Sequence, residues 1–483
     1  MNFEIIPQAA CRAAVRRVDI TPPVGIYHRM WGAASHDRST GLHRPLTATV
    51  LALAPRDGAS RSEHTLPAPR VFVSLDHCLF WTREMADVLA TLSARGGIAA
   101  ERITVYFTHT HAAGLMGYER AELPGGDLIA PYLQDVGQQV GDAIAAAVAA
   151  LEDATILFGE ARCDLARNRD YWDETRGSFV CGYNPSGTAD DRVAVGKLVD
   201  AAGAPLGTIV NYACHPTTLA WDNTLISPDY PGAMREVIET DTNAPCLFVQ
   251  GASGDIGPRD GFVGDVEVAE RNGRQLGHAV LSVWHSLVGP GQRRAYAGAV
   301  VSGATIGTWG YEAWQDPEAS KIGETVSHVA LPYRRDLPER DILTKELAHW
   351  QTMERRATEA GDLQSASDAR AMAERMTRRL TRVEHLPEGD SISYPIRILR
   401  LGLAIWVSLD GEHYNLLQRE LRRRFPGWTI FVGTLANGST VWYLPDSESY
   451  GKGLYQEDAS VLAQGSLELL IDAAALAIQE LIG

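Results

Sequence analysis

The chain has 483 residues, of which 45% are apolar and 22% charged; this ordinary globular composition excludes global disorder. Its 60 acidic side chains outnumber its 44 basic ones and give a formal net charge of −16. An acidic surface repels phosphate backbones, so we expect no nucleic acid among its partners. The sequence leaves the number of subunits open, and a homo-oligomer is compatible with it.

The first residues of the chain lack the pattern of a secretory signal. Glu4, Pro7 and Arg12 interrupt every apolar run there, whereas a signal peptide needs a continuous apolar core. The most apolar helical run, Ala143–Leu151, is far too short to cross a bilayer. We therefore expect no integral membrane segment and a cytoplasmic location. The six cysteines form no CxxC pair and are expected to be reduced thiols.

The first half of the chain alternates apolar strands with amphipathic helices. Runs rich in β-branched residues predict strands, and apolar side chains at helical spacing predict helices. The predicted elements are strand Arg70–Leu75, helix Glu84–Arg95, strand Arg102–Thr108, helix Ile129–Leu151, and strands Gly207–Ala213 and Cys246–Gln250. This alternation predicts an α/β fold with a layered core of mixed sheet and flanking helices.

The second half contains a highly charged segment, residues 336–384, in which Gly361 interrupts two helical stretches. We interpret it as an inserted helical hairpin that flanks a groove, contacts another subunit or is simply solvated, and we favour the solvated hairpin. Ile392–Leu409 then predicts two strands, and Ala459–Ile482 predicts a final helix. Because candidate site residues lie on both sides of the insertion, we expect one domain spanning residues 1–483.

Two histidines, His109 and His111, lie in the segment FTHTH at the end of the second predicted strand. Side chains two positions apart share one face of a strand, and ligands often bind at the carboxyl ends of strands in α/β sheets. The two imidazoles would then continue an apolar row of side chains. An isolated HxH is equally compatible with one histidine that caps a loop and one that is exposed.

Four further motifs place polar side chains near the ends of predicted strands. A lone histidine after a strand is more often structural, and the glycine-rich loop in this set lacks the lysine of a P-loop. Taken together, however, imidazoles, a carboxylate and a polar loop at several strand ends are the composition of a catalytic zinc site. The motifs are NYACHPTTL with His215, FVQGASGDIGPR with Asp255, SLDGEHYN with Glu412, and ANGSTVWYLPDSESY with Tyr443.

The order and spacing of these motifs resemble the neutral/alkaline ceramidase family over most of the chain. Besides the segments already quoted, the resemblance rests on VDITPPVG (Val18–Gly25), TGLHRPL (Thr40–Leu46), ARNRD (Ala166–Asp170) and the tyrosine run that closes in YQEDAS. It implies a hydrolase with an α/β fold that binds one zinc ion per chain and cleaves an N-acyl amide.

The resemblance also implies roles for individual residues. The zinc ligands fall on His109, His215, Glu412 and Tyr443, where Tyr443 is placed by its seven-residue distance to Tyr450. A nearby cation lowers the pKa of a phenol from about 10, so a tyrosine ligand is chemically sensible. His111 and Arg169 line the site beside the metal, and His43 and Gly257 lie at the substrate.

Two departures from the family bear on the substrate. Where family members carry a serine in the glycine-rich loop, this chain has Gly257. We also expect the chain to lack the C-terminal β-domain and the leader of secreted ceramidases. We therefore expect a small, more soluble N-acyl amide or a lipid-like analogue to be preferred over ceramide in membranes.

The implied mechanism is attack on the amide carbonyl by a water that zinc polarises. Zinc, with Arg169 or His111, stabilises the oxyanion, and His111 or Asp255 passes a proton to the leaving amine. A metal-dependent esterase is an alternative, because the same groups attack esters. A catalytically silent binding protein is another, and the replacement of the serine by Gly257 favours it modestly.

Overall fold

Two sheets lie face to face and are covered by helices on both outer sides. The structure is a computed structural model and describes residues 3–56, 66 and 68–483. The α-helices in these residues are α1 (Thr82–Gly96), α2 (Ile129–Ala149), α3 (Tyr230–Thr242), α4 (Val266–Ser286), α5 (Arg340–Glu359), α6 (Leu363–Glu384), α7 (Leu416–Arg424), α8 (Tyr455–Ala459) and α9 (Ser466–Ile482).

The strands of the described residues are mostly short, and the longest lie in the two sheets of the core. They are β1 (Phe3–Ile5), β2 (Gln8–Asp19), β3 (Gly41–Leu42), β4 (Thr47–Ala54), β5 (Arg70–Leu75), β6 (Ile103–Phe107), β7 (Glu152–Arg162), β8 (Ala166–Asn168), β9 (Asp170–Asp173), β10 (Ser178–Cys181), β11 (Arg192–Asp200), β12 (Pro205–Tyr212), β13 (Leu225–Ile226), β14 (Cys246–Gln250), β15 (Ile256–Pro258), β16 (Gln292–Ser302), β17 (Ala304–Ala313), β18 (Ile322–Pro332), β19 (Ser391–Leu401), β20 (Ala404–Ser408), β21 (Glu412–His413), β22 (Thr429–Gly433) and β23 (Tyr443–Leu444).

The larger sheet has eight strands in the order β14-β12-β11-β7-β2-β4-β5-β6. Its two outermost pairs, β5 with β6 and β12 with β14, are parallel, and the inner pairs are antiparallel. The sheet is therefore mixed, which confirms the predicted fold class. The predicted bounds of β5 and β14 are confirmed residue for residue.

The larger sheet curls so that its two edges approach each other. Small polar side chains on its inner face allow this: the Ser74 hydroxyl on β5 donates to the carbonyl of Phe248 on β14 over 2.6 Å. The Thr49 hydroxyl on β4 donates to the carbonyl of Cys246 over 3.4 Å. This curl brings the chain that leaves β6 close to the chain that leaves β12 and β14.

The smaller sheet, in the order β18-β19-β20-β22, packs inside the curl. Phe72 and Trp406 stack across the interface with ring centroids 4.5 Å apart. The side-chain amide of Asn211 on β12 donates to the carbonyl of Val432 (2.8 Å) and accepts from its N–H (3.0 Å). Because leaving a buried amide without partners costs free energy, this pair of hydrogen bonds fixes the position of β22 against β12.

Helices cover the outer faces of both sheets. The helix pair α1 and α2 and the pair α3 and α4 lie on the larger sheet, whereas α7 and α9 lie on the smaller one. In α2, Val136, Val140 and Ile144 recur at helical spacing and are buried, and the helix packs on β2 and β4. None of the helices in the described residues is long and apolar enough to cross a membrane. All six cysteines are free thiols.

The charged segment forms two helices, α5 and α6, separated at Gly361 as predicted. The favoured interpretation as a solvated hairpin fits α5, in which Leu343 alone is buried, but it is wrong for α6. Helix α6 packs against the body of the protein, and its Glu374 accepts a hydrogen bond from the buried Arg120 over 2.6 Å. The hairpin therefore flanks the body of the protein with one helix and presents the other to solvent.

The prediction of one continuous C-terminal helix from Ala459 is wrong at its start. The helix α9 begins at Ser466, and the preceding residues pair with the end of β18. The N–H of Ala463 donates to the carbonyl of Pro332 over 2.8 Å, and the N–H of Arg334 donates to the carbonyl of Val461 over 3.0 Å. Long-range pairing thus overrides the local helical pattern.

Candidate metal centre

Two histidines meet where the curled sheet brings its edges together. His109 follows β6 and His215 follows β12, and their Nε2 atoms lie 2.9 Å apart. The prediction that His109 and His111 continue the strand is wrong, because β6 ends at Phe107 and His109 adopts a left-handed conformation with φ of 68°. This sharp turn directs the imidazole of His109 toward His215.

Backbone carbonyls hold both imidazoles from behind. The Nδ1 atom of His109 lies 2.7 Å from the carbonyl oxygen of Cys78, and the Nδ1 atom of His215 lies 2.9 Å from that of Ser253. A carbonyl oxygen can only accept, so in the neutral rings both protons belong on Nδ1. Both Nε2 lone pairs then point toward the same small volume, as metal-ligating histidines require.

Glu412 and Tyr443 enter the same volume from one short parallel ladder. The sequence predicted that Glu412 ends the strand before it, but this is wrong. Glu412 lies in β21, beyond a turn at Gly411 (φ of 95°), opposite Tyr443 in β23. One carboxylate oxygen of Glu412 is 3.2 Å from the Nε2 atoms of both His109 and His215. The Tyr443 hydroxyl is 3.4 Å from the Nε2 atom of His215.

The atoms of this cluster that could ligate a metal are arranged to suit a cation. His109, His215 and Glu412 are buried and offer ligand atoms within 4.8 Å of one another. With both protons on Nδ1, two imidazole lone pairs face each other and a carboxylate, so three acceptors converge without enough donors between them. Such an arrangement is unfavourable in a buried site unless a cation occupies its centre.

The charges of the cluster favour the ligand forms of Glu412 and His215. Burial raises the pKa of Glu412, but His109 and His215 outweigh burial and bring that pKa well below its ordinary value. Burial, assisted by Arg169, lowers the pKa of His215 to about 3, so its imidazole is neutral near pH 7. An ionised carboxylate beside a neutral imidazole is the pairing that a divalent transition metal binds.

Arg169 lies beside Tyr443 at the rim of the cluster. Strand β8 pairs with β15, and Arg169 follows directly after β8. Its buried guanidinium donates to the carbonyl of Gly254 (2.6 Å) and to the hydroxyl of Tyr443 (3.1 Å). Burial and Glu412 raise the pKa of Tyr443 well above its ordinary value, and the positive charge of Arg169 opposes that rise.

His111 lies next to the cluster but outside it. Its ring centroid is 4.9 Å from that of His109 and 5.5 Å from that of His215. The Nε2 atom of His111 is buried and has no hydrogen-bond partner among the described residues. Burial, followed by the charges of His109 and His215, brings the pKa of His111 well below its ordinary value. A neutral imidazole is thus available next to the cluster.

Two other predicted site residues make their contacts outside the cluster. The Asp255 carboxylate accepts from the N–H of Asn415 (2.7 Å) and from the Asn168 amide (3.3 Å), so it lies behind Arg169. Burial raises the pKa of Asp255 to about 7. His43 has its Nδ1 atom 2.9 Å from the Ser227 hydroxyl and its Nε2 atom 3.1 Å from Glu270, so both nitrogens are paired within the protein.

Gly257 faces the site with room for a side chain. A Cβ atom built there would lie 3.7 Å from Cδ of Arg169 and 3.8 Å from the Thr217 hydroxyl, which are ordinary contact distances. Its φ is not in the left-handed region, so glycine is not required for the backbone. The replacement of the family's serine by Gly257 therefore leaves free space beside Arg169.

Sequence reasoning missed three residues that surround the cluster. The ring of Trp31 lies 5.2 Å from that of His111, and the ring of Tyr455 lies 5.7 Å from that of Tyr443. Cys78 forms a second group of candidate metal-binding atoms with His109 and His111. The signal for Cys78 was its position three residues beyond the strand that ends at Leu75, but the cysteines were considered only as CxxC pairs.

The layered fold and the buried histidine–carboxylate cluster define an α/β protein with a candidate metal site. The sequence profile of neutral/alkaline non-lysosomal ceramidases (N-terminal region) matches residues 13–261, just over half of the 483 residues. The chain therefore belongs to this family of amide-bond hydrolases, which confirms the resemblance noted in the sequence.

Solved structures of ceramidases have the same fold. The chain is similar to the neutral ceramidase of Pseudomonas aeruginosa, with a TM-score of 0.62 and 16% identity over 99% of this chain and 75% of the other. It is also similar to a structure described as ceramidase complexed with C2, with a TM-score of 0.61 and 16% identity over 99% of this chain and 76% of the other. At this identity the likeness establishes the fold.

Proposed function

We propose that the protein is a zinc-dependent hydrolase that cleaves an N-acyl amide bond. His109, His215, Glu412 and Tyr443 would hold the zinc ion. The single observation that carries the proposal is the convergence of two Nε2 lone pairs and one carboxylate oxygen within 3.2 Å, with Tyr443 beside them. Zinc held there supplies a Lewis acid that polarises a carbonyl and lowers the pKa of water toward neutrality.

The other residues of the site support the steps of an amide hydrolysis. The guanidinium of Arg169 is fixed by Gly254 and Tyr443, so it is preorganised to stabilise negative charge on the carbonyl oxygen. The buried Nε2 atom of His111 has no described partner and belongs to a neutral ring. It is therefore suited to take a proton from water and to pass it to the leaving amine.

The proposal is tested by metal content and by metal-dependent hydrolysis. Purified full-length protein should contain about one zinc ion per chain by elemental analysis. It should hydrolyse N-acyl amides of graded chain length, lose this activity after chelation, and regain it when zinc is restored. Protein that contains no transition metal and gains no activity with zinc would refute the proposal. Activity on esters together with inactivity on every amide would instead favour the esterase alternative.

We also expect that no residue of the protein becomes acylated during turnover. Ser253 is the hydroxyl that could replace the family's serine, yet its Oγ atom lies 3.4 Å from Nδ1 of His215, and its carbonyl accepts from that same nitrogen. Nδ1 and Nε2 are at different edges of the ring, so Ser253 lies behind His215, on the side away from the cluster. Ser253→Ala should therefore keep most of the activity.

Rapid-quench mass spectrometry checks this expectation. No acyl adduct should accumulate on the protein during a single turnover. A trapped acyl group on Ser253, abolished in Ser253→Ala, would show that this branch has moved its nucleophile to another position of the loop.

A further inference from the structure

A cleft of about 440 Å³ lies between α6 and the turn that carries Tyr455. Three arginines of α6 line it, together with Glu374, Asp458, Gly32, Ala371, Phe179, Gly453 and Leu454. The three are Arg375, Arg378 and Arg382. Five of the eleven residues that line the cleft therefore carry charged side chains.

The acidic side chains of the cleft are already paired. Glu374 accepts from the buried Arg120 over 2.6 Å. Asp458 is bound by Arg375 over 3.1 Å and also by Arg379. These two carboxylates therefore offer no further charge compensation to the other arginines of the cleft.

Arg382 has no such partner. Its side chain is almost fully buried, with 7% of the residue exposed, and no hydrogen bond or ion pair joins it to any described residue. Its guanidinium lies over the ring of Trp442, 4.4 Å from the centroid. A cation–π contact compensates only part of the cost of burying a guanidinium, so one positive charge in the cleft lacks its counter-ion.

Arg382 is adjacent to the candidate metal centre. Trp442, on which it lies, directly precedes Tyr443 in the chain. Tyr455 lines the cleft and also contacts Tyr443, with ring centroids 5.7 Å apart. A molecule whose scissile amide lies at the cluster can therefore place another of its groups against Arg382.

We propose that Arg382 binds a carboxylate of the substrate, so that the substrates are N-acyl amino acids; this rests on the proposed amide hydrolysis. A guanidinium offers two parallel N–H groups that match the two oxygens of a carboxylate. Since Arg382 is the one uncompensated arginine among those that line the cleft, a singly charged group matches the cleft better than a doubly charged phosphate monoester. Neutral ceramide leaves Arg382 unpaired and is disfavoured.

A matched pair of substrates tests this proposal. N-dodecanoylglycine and N-dodecanoylethanolamine have the same acyl chain and scissile amide, and they differ in a carboxylate against a hydroxymethyl group. The wild-type protein should favour the glycine compound by about 10-fold to 100-fold in kcat/KM, as expected for a buried charge pair. Arg382→Gln should abolish this preference mainly by raising KM for the glycine compound, and Arg382→Lys should retain part of it.

Arg379→Gln is the matched control. It removes the same charge from the same helix, but Arg379 is already paired with Asp458 and does not line the cleft. The preference for the glycine compound should survive in this variant. Equal preferences in wild-type protein and Arg382→Gln would overturn the assignment, and so would loss of the preference in Arg379→Gln alone.

Binding to metal-free protein separates this proposal from the proposed function. Calorimetry on chelated full-length protein should show tighter binding of N-dodecanoylglycine than of N-dodecanoylethanolamine, and Arg382→Gln should remove the difference. If neither compound is hydrolysed but this difference is found, the amide-hydrolase proposal fails and the carboxylate site stands. If both are hydrolysed and no difference in binding or rate depends on Arg382, the carboxylate site is wrong.

Discussion

Glu412→Gln is expected to abolish metal binding and to lower kcat/KM by more than about 1,000-fold, the equivalent of about 4 kcal/mol. The carboxylate of Glu412 faces the Nε2 atoms of His109 and His215 at 3.2 Å each. An uncharged amide is a far poorer metal ligand, and its NH₂ group can instead donate to an imidazole lone pair. The variant should therefore fold in a form that no longer needs the cation.

Elemental analysis, thermal unfolding and activity on one N-acyl amide check this prediction. In chelator the melting temperature of Glu412→Gln should be no lower than that of wild-type protein, and added zinc should raise the melting temperature of the wild type alone. Glu420→Gln is the matched control, because Glu420 makes surface ion pairs with Arg423 and Arg424 on α7. A fully metallated, active Glu412→Gln would show that the cluster is not the metal site.

Arg169→Lys is expected to lower kcat by about 100-fold or more while the metal content stays near that of wild-type protein. The guanidinium of Arg169 reaches both the carbonyl of Gly254 and the hydroxyl of Tyr443. A lysine ammonium keeps the charge but cannot reproduce this forked geometry. Arg169 itself is not a ligand, so zinc should remain bound.

Steady-state kinetics together with zinc analysis separate the two contributions of Arg169. A loss confined to kcat, at normal zinc content, indicates stabilisation of the transition state, whereas a loss of zinc indicates that Arg169 mainly holds Tyr443 in place. Arg167→Lys serves as control, because Arg167 lies two residues earlier, within β8, but pairs with Asp164 at the surface. Equal losses in both variants would count against a specific role for Arg169.

The strands could be predicted from the sequence more accurately than the segments that connect them. Strands such as β14, which is buried and continuously apolar, carry their signal locally. The residues before α9 follow a helical pattern, but pairing with Pro332 and Arg334 decides their structure. The interior position of α6 likewise depends on Arg120, 254 residues earlier in the chain than its partner Glu374, and no local pattern reports such a contact.

The residues of the candidate metal centre could be selected from the sequence, but their orientation could not. Motif order selected His109, His215, Glu412 and Tyr443, which the structure brings together. The left-handed turn at His109 and the ladder that carries Glu412 depend on tertiary packing. Arg382 had no signal, because the sequence cannot show which arginine of a charged helix lacks a partner.

The residues that would bind the metal lie far apart along the chain, and this has a consequence for assembly. His109 and His215 are separated by 106 residues, His109 and Glu412 by 303, and His215 and Tyr443 by 228. Contacts between such distant segments form late, because the loops between them must close first. The centre therefore does not exist as a nucleus on which the chain could fold. A cation bound at this centre would enter a protein whose two sheets have already closed on each other, so metal loading would follow folding.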